Sequence, residues 1–164
     1  MSKLNAPCPI ADHHNFDSFT CGVPALDNWL KKRAISNERS RASRTFVLCD
    51  DERVIGYYAL ATGSLAAKSA PGKIKRNMPD PIPVMVLGRL AIDQQYQGKK
   101  LGDALLRDAI LRILQAADIA GIKAILVHAI SEEAKKFYLD RSFIESSSEP
   151  MTLVLPLESI TGKD

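Results

Sequence analysis

The residues best placed to do chemistry lie in the segment Leu90-Ala91-Ile92-Asp93-Gln94-Gln95-Tyr96-Gln97-Gly98-Lys99-Lys100-Leu101-Gly102. An apolar strand feeds a polar turn holding Gly98, Lys99 and Lys100, and a helix begins at once. The first amides of a helix have no intrahelical acceptor and carry the positive end of its dipole, so such a turn can cradle a pyrophosphate. Lys99 and Lys100 would add charge; the alternative is an ordinary solvated loop. Neither a Walker Gly-x-x-x-x-Gly-Lys-Ser/Thr nor a dinucleotide-binding Gly-x-Gly-x-x-Gly occurs.

A second group able to move a proton is Tyr138, in Ala134-Lys135-Lys136-Phe137-Tyr138. From its position alone it reads as an amphipathic core tyrosine at a helix end. His128 reads as a satisfied core histidine rather than a base, and His13 and His14 as surface-loop residues. Cys21 reads as structural, not nucleophilic, and Trp29, at helical spacing from Leu26, as core or interface. Arg89 stands out because it interrupts an apolar strand, and a buried guanidinium needs an anionic partner, either an internal carboxylate or an RNA phosphate.

The elements that must hold these residues follow from periodicity. Gly22-Val23-Pro24 opens a helix whose Leu26, Trp29, Leu30 and Ala34 share a face. Residues 45–49 and 54–62 form an antiparallel hairpin across Asp50-Asp51-Glu52-Arg53, and residues 63–83 a long mobile loop. Residues 84–92 are a buried strand without a polar face, followed by the turn 93–100 and an amphipathic helix over 101–120. Gly121 should end that helix in the left-handed region. Residues 123–130 form another buried strand, Ser131 caps a helix over 132–140, and residues 143–146 and 151–157 are two further strands. The unit from 84 to 140 is βαβα, so its strands lie parallel, with antiparallel hairpins flanking them. The fold class is α/β: a mixed central β-sheet with helices on both faces.

The chain has 164 residues, 46% hydrophobic and 25% charged, which fits one globular domain over 1–164. Its apolar runs fall far short of the ~20 residues that span a bilayer, and the start of the chain has no apolar signal-peptide core. Three scattered cysteines, Cys8, Cys21 and Cys49, suit reduced thiols in the cytoplasm, and no spacing suggests a metal. The net charge of +3 is unevenly spread. Lys31, Lys32, Arg33, Arg39, Arg41 and Arg44 face Glu38 alone, and Lys68, Lys73, Lys75 and Arg76 form a second basic stretch. Such a surface suits nucleic acid, or is simply a solvated face.

Gln97-Gly98-Lys99-Lys100-Leu101-Gly102 resembles the acetyl-CoA signature Gln/Arg-x-x-Gly-x-Gly/Ala of the GNAT N-acetyltransferases, with Lys100 in the place of the middle glycine. Ala134-Lys135-Lys136-Phe137-Tyr138 resembles that family's A-x-x-F-Y helix, with Ser131 where an asparagine often begins it. Phe19-Thr20-Cys21-Gly22-Val23-Pro24-Ala25-Leu26-Asp27-Asn28-Trp29-Leu30, Tyr57-Tyr58-Ala59-Leu60-Ala61-Thr62-Gly63-Ser64 and Leu87-Gly88-Arg89-Leu90-Ala91 resemble the acetyltransferase toxins of type II toxin–antitoxin modules.

The resemblance implies a GNAT fold with splayed central parallel strands, and acetyl-CoA as cosubstrate without a metal. It implies acetyl transfer to the α-amino group of the amino acid on charged tRNA, blocking translation. Cofactor binding would fall to Leu90, Ala91, Ile92, Gln97, Gly98, Lys99, Lys100, Leu101, Gly102, Asp103, Ser131 and Lys135. Tyr138 would protonate the leaving thiolate, and Lys31, Lys32, Arg33, Arg76 and Arg89 would bind the tRNA. The implied partners are aminoacyl-tRNA, a ribbon-helix-helix antitoxin and a second copy in a homodimer, with no membrane. The alternatives are acetylation of a small-molecule amine or a protein N-terminus, and, in another class, a non-catalytic nucleic-acid-binding module.

Overall fold

The computed structural model describes residues 4–72 and 80–161. Its strands are β1 (Cys8–Pro9), β2 (Arg44–Asp50), β3 (Arg53–Leu65), β4 (Ile82–Ile92), β5 (Ala124–His128), β6 (Ile144–Glu145) and β7 (Thr152–Pro156). The helices are α1 (Pro24–Lys32), α2 (Ala34–Ser40), α3 (Leu101–Ala117), α4 (Glu132–Leu139) and α5 (Leu157–Thr161). The strands form one mixed seven-stranded sheet in the order β1-β2-β3-β4-β5-β7-β6, with helices on both sides. β1–β2, β2–β3, β5–β7 and β6–β7 are antiparallel, whereas β4 and β5 are parallel. The expected mixed sheet is therefore present. No helix of the described residues is long and apolar enough to cross a membrane.

Two compact units share the chain. One comprises residues 1–61 and 88–111, the other residues 62–87 and 112–164. The core of the first joins Phe19, Leu26, Leu30 and Ala34 to Val47, Cys49, Val54, Tyr57 and Ala91. Here the apolar stripe expected from helical spacing is the buried one. Arg33 (φ −123°) separates α1 from α2, so the single helix expected from residue 24 onward is two. Gly56 lets α3 approach β3 closely. A Cβ there would lie 2.8 Å from Ile92 Cδ1 and 3.2 Å from Leu105 Cδ1. The core of the second unit joins Leu65, Ala70, Ile82 and Val84 to Ala124, Leu126 and Val154.

Several boundaries differ from the periodicity reading. The loop expected over 63–83 is shortened from both ends. Gly63 to Leu65 continue β3, Ala67–Ser69 form a 3-10 turn, and Ile82 already belongs to β4. Inward burial of Leu65 and Ile82 outweighs the local Gly/Ser/Pro composition. α3 stops at Ala117 rather than Ala120, and Gly121 is not left-handed. Asp118 N and Ile119 N donate to Gln115 O (3.2 Å) and Ala116 O (3.0 Å). A tightened last turn thus satisfies the helix carbonyls without a glycine cap. Nor is β4 buried throughout, since Gly88 is exposed and Arg89 and Leu90 are half-buried.

Candidate active site

In the first unit the turn after β4 is anchored by a carboxylate that is fully buried. Asp93 Oδ2 accepts from Thr20 N (3.1 Å) and Oδ1 from Gln95 N (3.0 Å), and Arg53 Nη2 lies 3.8 Å from Oδ2. Asp93 N donates to Ile55 O and Gln94 N to Thr20 O, both at 2.8 Å. Gln97 completes the frame: its Nε2 donates to Ile92 O (2.8 Å) and Cys21 O (3.0 Å). The signature glutamine thus ties the turn to the strand it leaves and to the segment preceding α1.

Beyond Gln97 the backbone enters the left-handed region twice, at Gly98 (φ +81°) and Lys100 (φ +63°). Lys100 therefore keeps the conformation expected of a glycine, at a cost of about 1 kcal/mol for its Cβ. Ala104 N donates to Lys100 O at 3.3 Å, so the amides of Leu101, Gly102 and Asp103 precede the helical ladder. Gly98, Lys99 and Lys100 are exposed, and Lys99 Nζ stands 5.5 Å from the Tyr96 ring centroid. The Tyr96 hydroxyl donates to Asp50 Oδ2 at 2.7 Å. A helix N-terminus beside two exposed lysines is the kind of turn that suits an anion.

Close to the same strand, Arg89 Cζ sits 4.3 Å from the centroid of Trp29. Trp29 stacks on Tyr57 (6.0 Å, 9°), and the Tyr57 hydroxyl donates to Leu26 O at 2.8 Å. Burial pulls the Arg89 guanidinium below the usual arginine pKa range. Among the described residues Arg89 makes no salt bridge, so its internal partner is an aromatic face, not a carboxylate. Lys31, Lys32 and Arg33 are exposed and follow Trp29 by up to one helical turn. Arg39 and Arg44, by contrast, are paired with Asp12 (2.8 Å) and Glu38 (2.6 Å). Arg76 lies outside the described residues.

In the second unit Ser131 caps α4 as expected, its Oγ accepting from Ala134 N at 3.1 Å. Lys135 Nζ is paired with Glu145 Oε1 at 2.6 Å. Tyr138 is buried between Phe137 (5.2 Å) and Phe143 (5.1 Å), both edge-on. Burial raises its phenol from 10.0 to about 12, so it stays protonated at neutral pH. Among the described residues its hydroxyl has no hydrogen-bond partner. His128 is satisfied but not core: it is exposed, and its Nδ1 lies 2.9 Å from Thr152 Oγ1. Strand β5 buries its first four residues and releases the fifth, which is the reason. Cys21 Sγ donates weakly to Val23 O (3.6 Å), and burial lifts its thiol to about 11, away from nucleophilic use.

The model of the acetyltransferase (GNAT) domain family matches residues 41–145, from the start of β2 through β6. The chain belongs to the GNAT acetyltransferase family. It is 52% identical over 155 residues to the tRNA-acetylating toxin of Mycobacterium tuberculosis, covering 94% of this chain and 93% of that one. A solved structure of AtaT complexed with acetyl-methionyl-tRNAfMet superposes with a TM-score of 0.90 at 29% identity, covering 97% and 98% of the two chains. The structure of AtaTR bound with AcCoA gives 0.83 at 30% identity, covering 96% of each.

For this GNAT acetyltransferase, periodicity and motif spacing missed the residues that brace the turn. Asp93 could have been found, since an aspartate two residues before an amide is the pattern of an Asx turn. Nothing local marks Gly56 or the Trp29–Arg89 contact, because each depends on residues distant in sequence.

Proposed function

We propose that this chain transfers the acetyl group of acetyl-CoA to the α-amino group of the amino acid carried on tRNA, as the toxin of a type II toxin–antitoxin module. The observation that carries this reading is its likeness, over nearly its whole length, to a toxin named for acetylating tRNA. In this reading the cofactor's diphosphate meets the amides of Gly98, Leu101, Gly102 and Asp103, with Lys99 and Lys100 supplying charge. The pantetheine arm pairs with the backbone of Leu90, Ala91 and Ile92. Gln97 holds that turn in shape, and Ser131 and Lys135 border the cofactor.

The acceptor amine attacks the thioester carbonyl carbon, and a strand amide stabilises the resulting oxyanion. The carbon–sulfur bond then breaks, and Tyr138 donates its proton to the departing thiolate. A free α-amino group has a pKa of about 7.7–8.0, and esterification of the neighbouring carboxyl lowers it, so much of it is neutral in the cytoplasm. The tRNA binds through its phosphates, to Lys31, Lys32, Arg33, Arg76 and Arg89, without sequence readout. Arg89, held against Trp29 without a carboxylate, offers its charge to that anion.

The whole chain acts as one acetyltransferase domain in the cytoplasm, as a homodimer neutralised by a ribbon-helix-helix antitoxin. Incubating the protein with labelled acetyl-CoA, charged tRNA, peptides and small amines tests the substrate. Label is expected on aminoacyl-tRNA; label on free amines or peptides alone sinks the reading. Sedimentation and co-expression with the neighbouring reading frame test the dimer and the antitoxin.

A further inference from the structure

His128 ends β5, the strand whose parallel register with β4 runs from Val84↔Ala124 to Val86↔Leu126. The carboxyl end of a parallel strand is where α/β sheets place their ligands. His128 is exposed there, three residues before the Ser131 cap of the helix that carries Tyr138. It is also held in place. Its Nδ1 shares a hydrogen bond of 2.9 Å with Thr152 Oγ1, from the antiparallel neighbour β7. Thr152 is itself buried, its amide donating to Glu149 O (3.0 Å) and its carbonyl accepting from Ser146 N (2.8 Å). An exposed imidazole oriented by a buried hydroxyl is the base-and-orienter arrangement of acid–base catalysis. With the ring proton on Nδ1 donated to the hydroxyl oxygen, Nε2 carries the lone pair.

We infer that His128 Nε2 accepts the proton of the attacking amine, with Thr152 as the positioning residue that orients its ring. This rests on the acetyl-transfer reading above. The nitrogen–carbon bond forms as one amine proton passes to Nε2. The carbon–sulfur bond breaks as the Tyr138 proton passes to sulfur. The two side chains return to their starting states by exchange with water, leaving one amide and one thiol.

The test is single-turnover and steady-state acetyl transfer to charged tRNA by the full chain at fixed pH, with acetyl-CoA affinity measured in parallel. His128→Ala should lower kcat about 100-fold, the lower end for a general base. Acetyl-CoA affinity should be unchanged, and added imidazole should restore part of the rate. Thr152→Val should lower kcat about tenfold while Thr152→Ser retains it. An unaltered kcat in His128→Ala, or a loss that imidazole does not restore, overturns the inference. Absence of acetyl transfer by the wild-type chain would instead overturn the reading beneath it.

Discussion

The guanidinium of Arg89 lies 4.3 Å from the ring of Trp29, joining a residue of β4 to one of α1. A half-buried cation on an aromatic plate keeps its charge available, whereas a carboxylate partner would neutralise it. Replacing Arg89 with Ala should weaken tRNA binding uniformly across tRNA species. It should also lower the slope of log affinity against log salt by about 1. Fluorescence anisotropy over a salt series measures both, and an unchanged slope would remove Arg89 from the RNA surface.

Tyr138→Phe should abolish most acetyl transfer, by about 100-fold or more, while acetyl-CoA binding stays within twofold. Because the hydroxyl has no partner among the described residues, the melting temperature should hardly move. Calorimetry together with a turnover assay separates the two effects. A variant that keeps its turnover would show the phenol to be packing alone.

Lys100 offers a stability test of the turn. Its left-handed φ of +63° strains any residue with a Cβ. Lys100→Gly should therefore stabilise the fold by about 1 kcal/mol, less the entropy that glycine adds to the unfolded chain. Lys100→Ala should bring no such gain. Denaturant midpoints for the two variants decide it.

The brace beneath the turn should be costly to remove. Asp93→Ala strips the acceptor from two amides and leaves Arg53 without its charge partner, a loss of about 3 kcal/mol. Gly56→Ala drives a methyl group towards Ile92 and Leu105 and should cost about 1–3 kcal/mol. Urea unfolding of both variants, with no change in slope, is the expected result.

Alkaline pH should destabilise the protein. Burial raises the Cys49 thiol from 9.0 to about 11 and the Tyr138 phenol from 10.0 to about 12. Between those values the unfolded chain has lost protons that the folded chain keeps, so stability falls as pH rises. Unfolding free energy should be level up to about pH 8.5 and decline from pH 9, more steeply above 10. Cys49→Ala should reduce the first part of that decline, the remainder belonging to Cys21, whose thiol burial also lifts from 9.0 to about 11. A stability flat to pH 11 would contradict the burial of both groups.

How far the site was legible depends on the range of the interactions involved. The Gly98–Gly102 turn and the Ser131 cap are local, decided by glycine freedom and by a hydroxyl three residues before an amide. Both were readable in order along the chain. The end of α3 was misread because carbonyls at a helix end can be satisfied by a tightened turn as well as by a left-handed glycine. His128 was misplaced because alternation along β5 says which residues share a face but not where the covering layer stops.

Spacing along the chain was enough to establish the strand–turn–helix around Gly98, the capped helix bearing Tyr138, and a mixed sheet. Each rests on backbone preferences acting over a few residues. Folding settled the rest: that Arg89 meets Trp29, that Asp93 ties Thr20 to Gln95, and that Thr152 orients His128. Arg89–Trp29, Asp93–Thr20 and Thr152–His128 are contacts between residues far apart in the chain. They exist because burying a shared core fixes where distant segments meet, which no local pattern encodes.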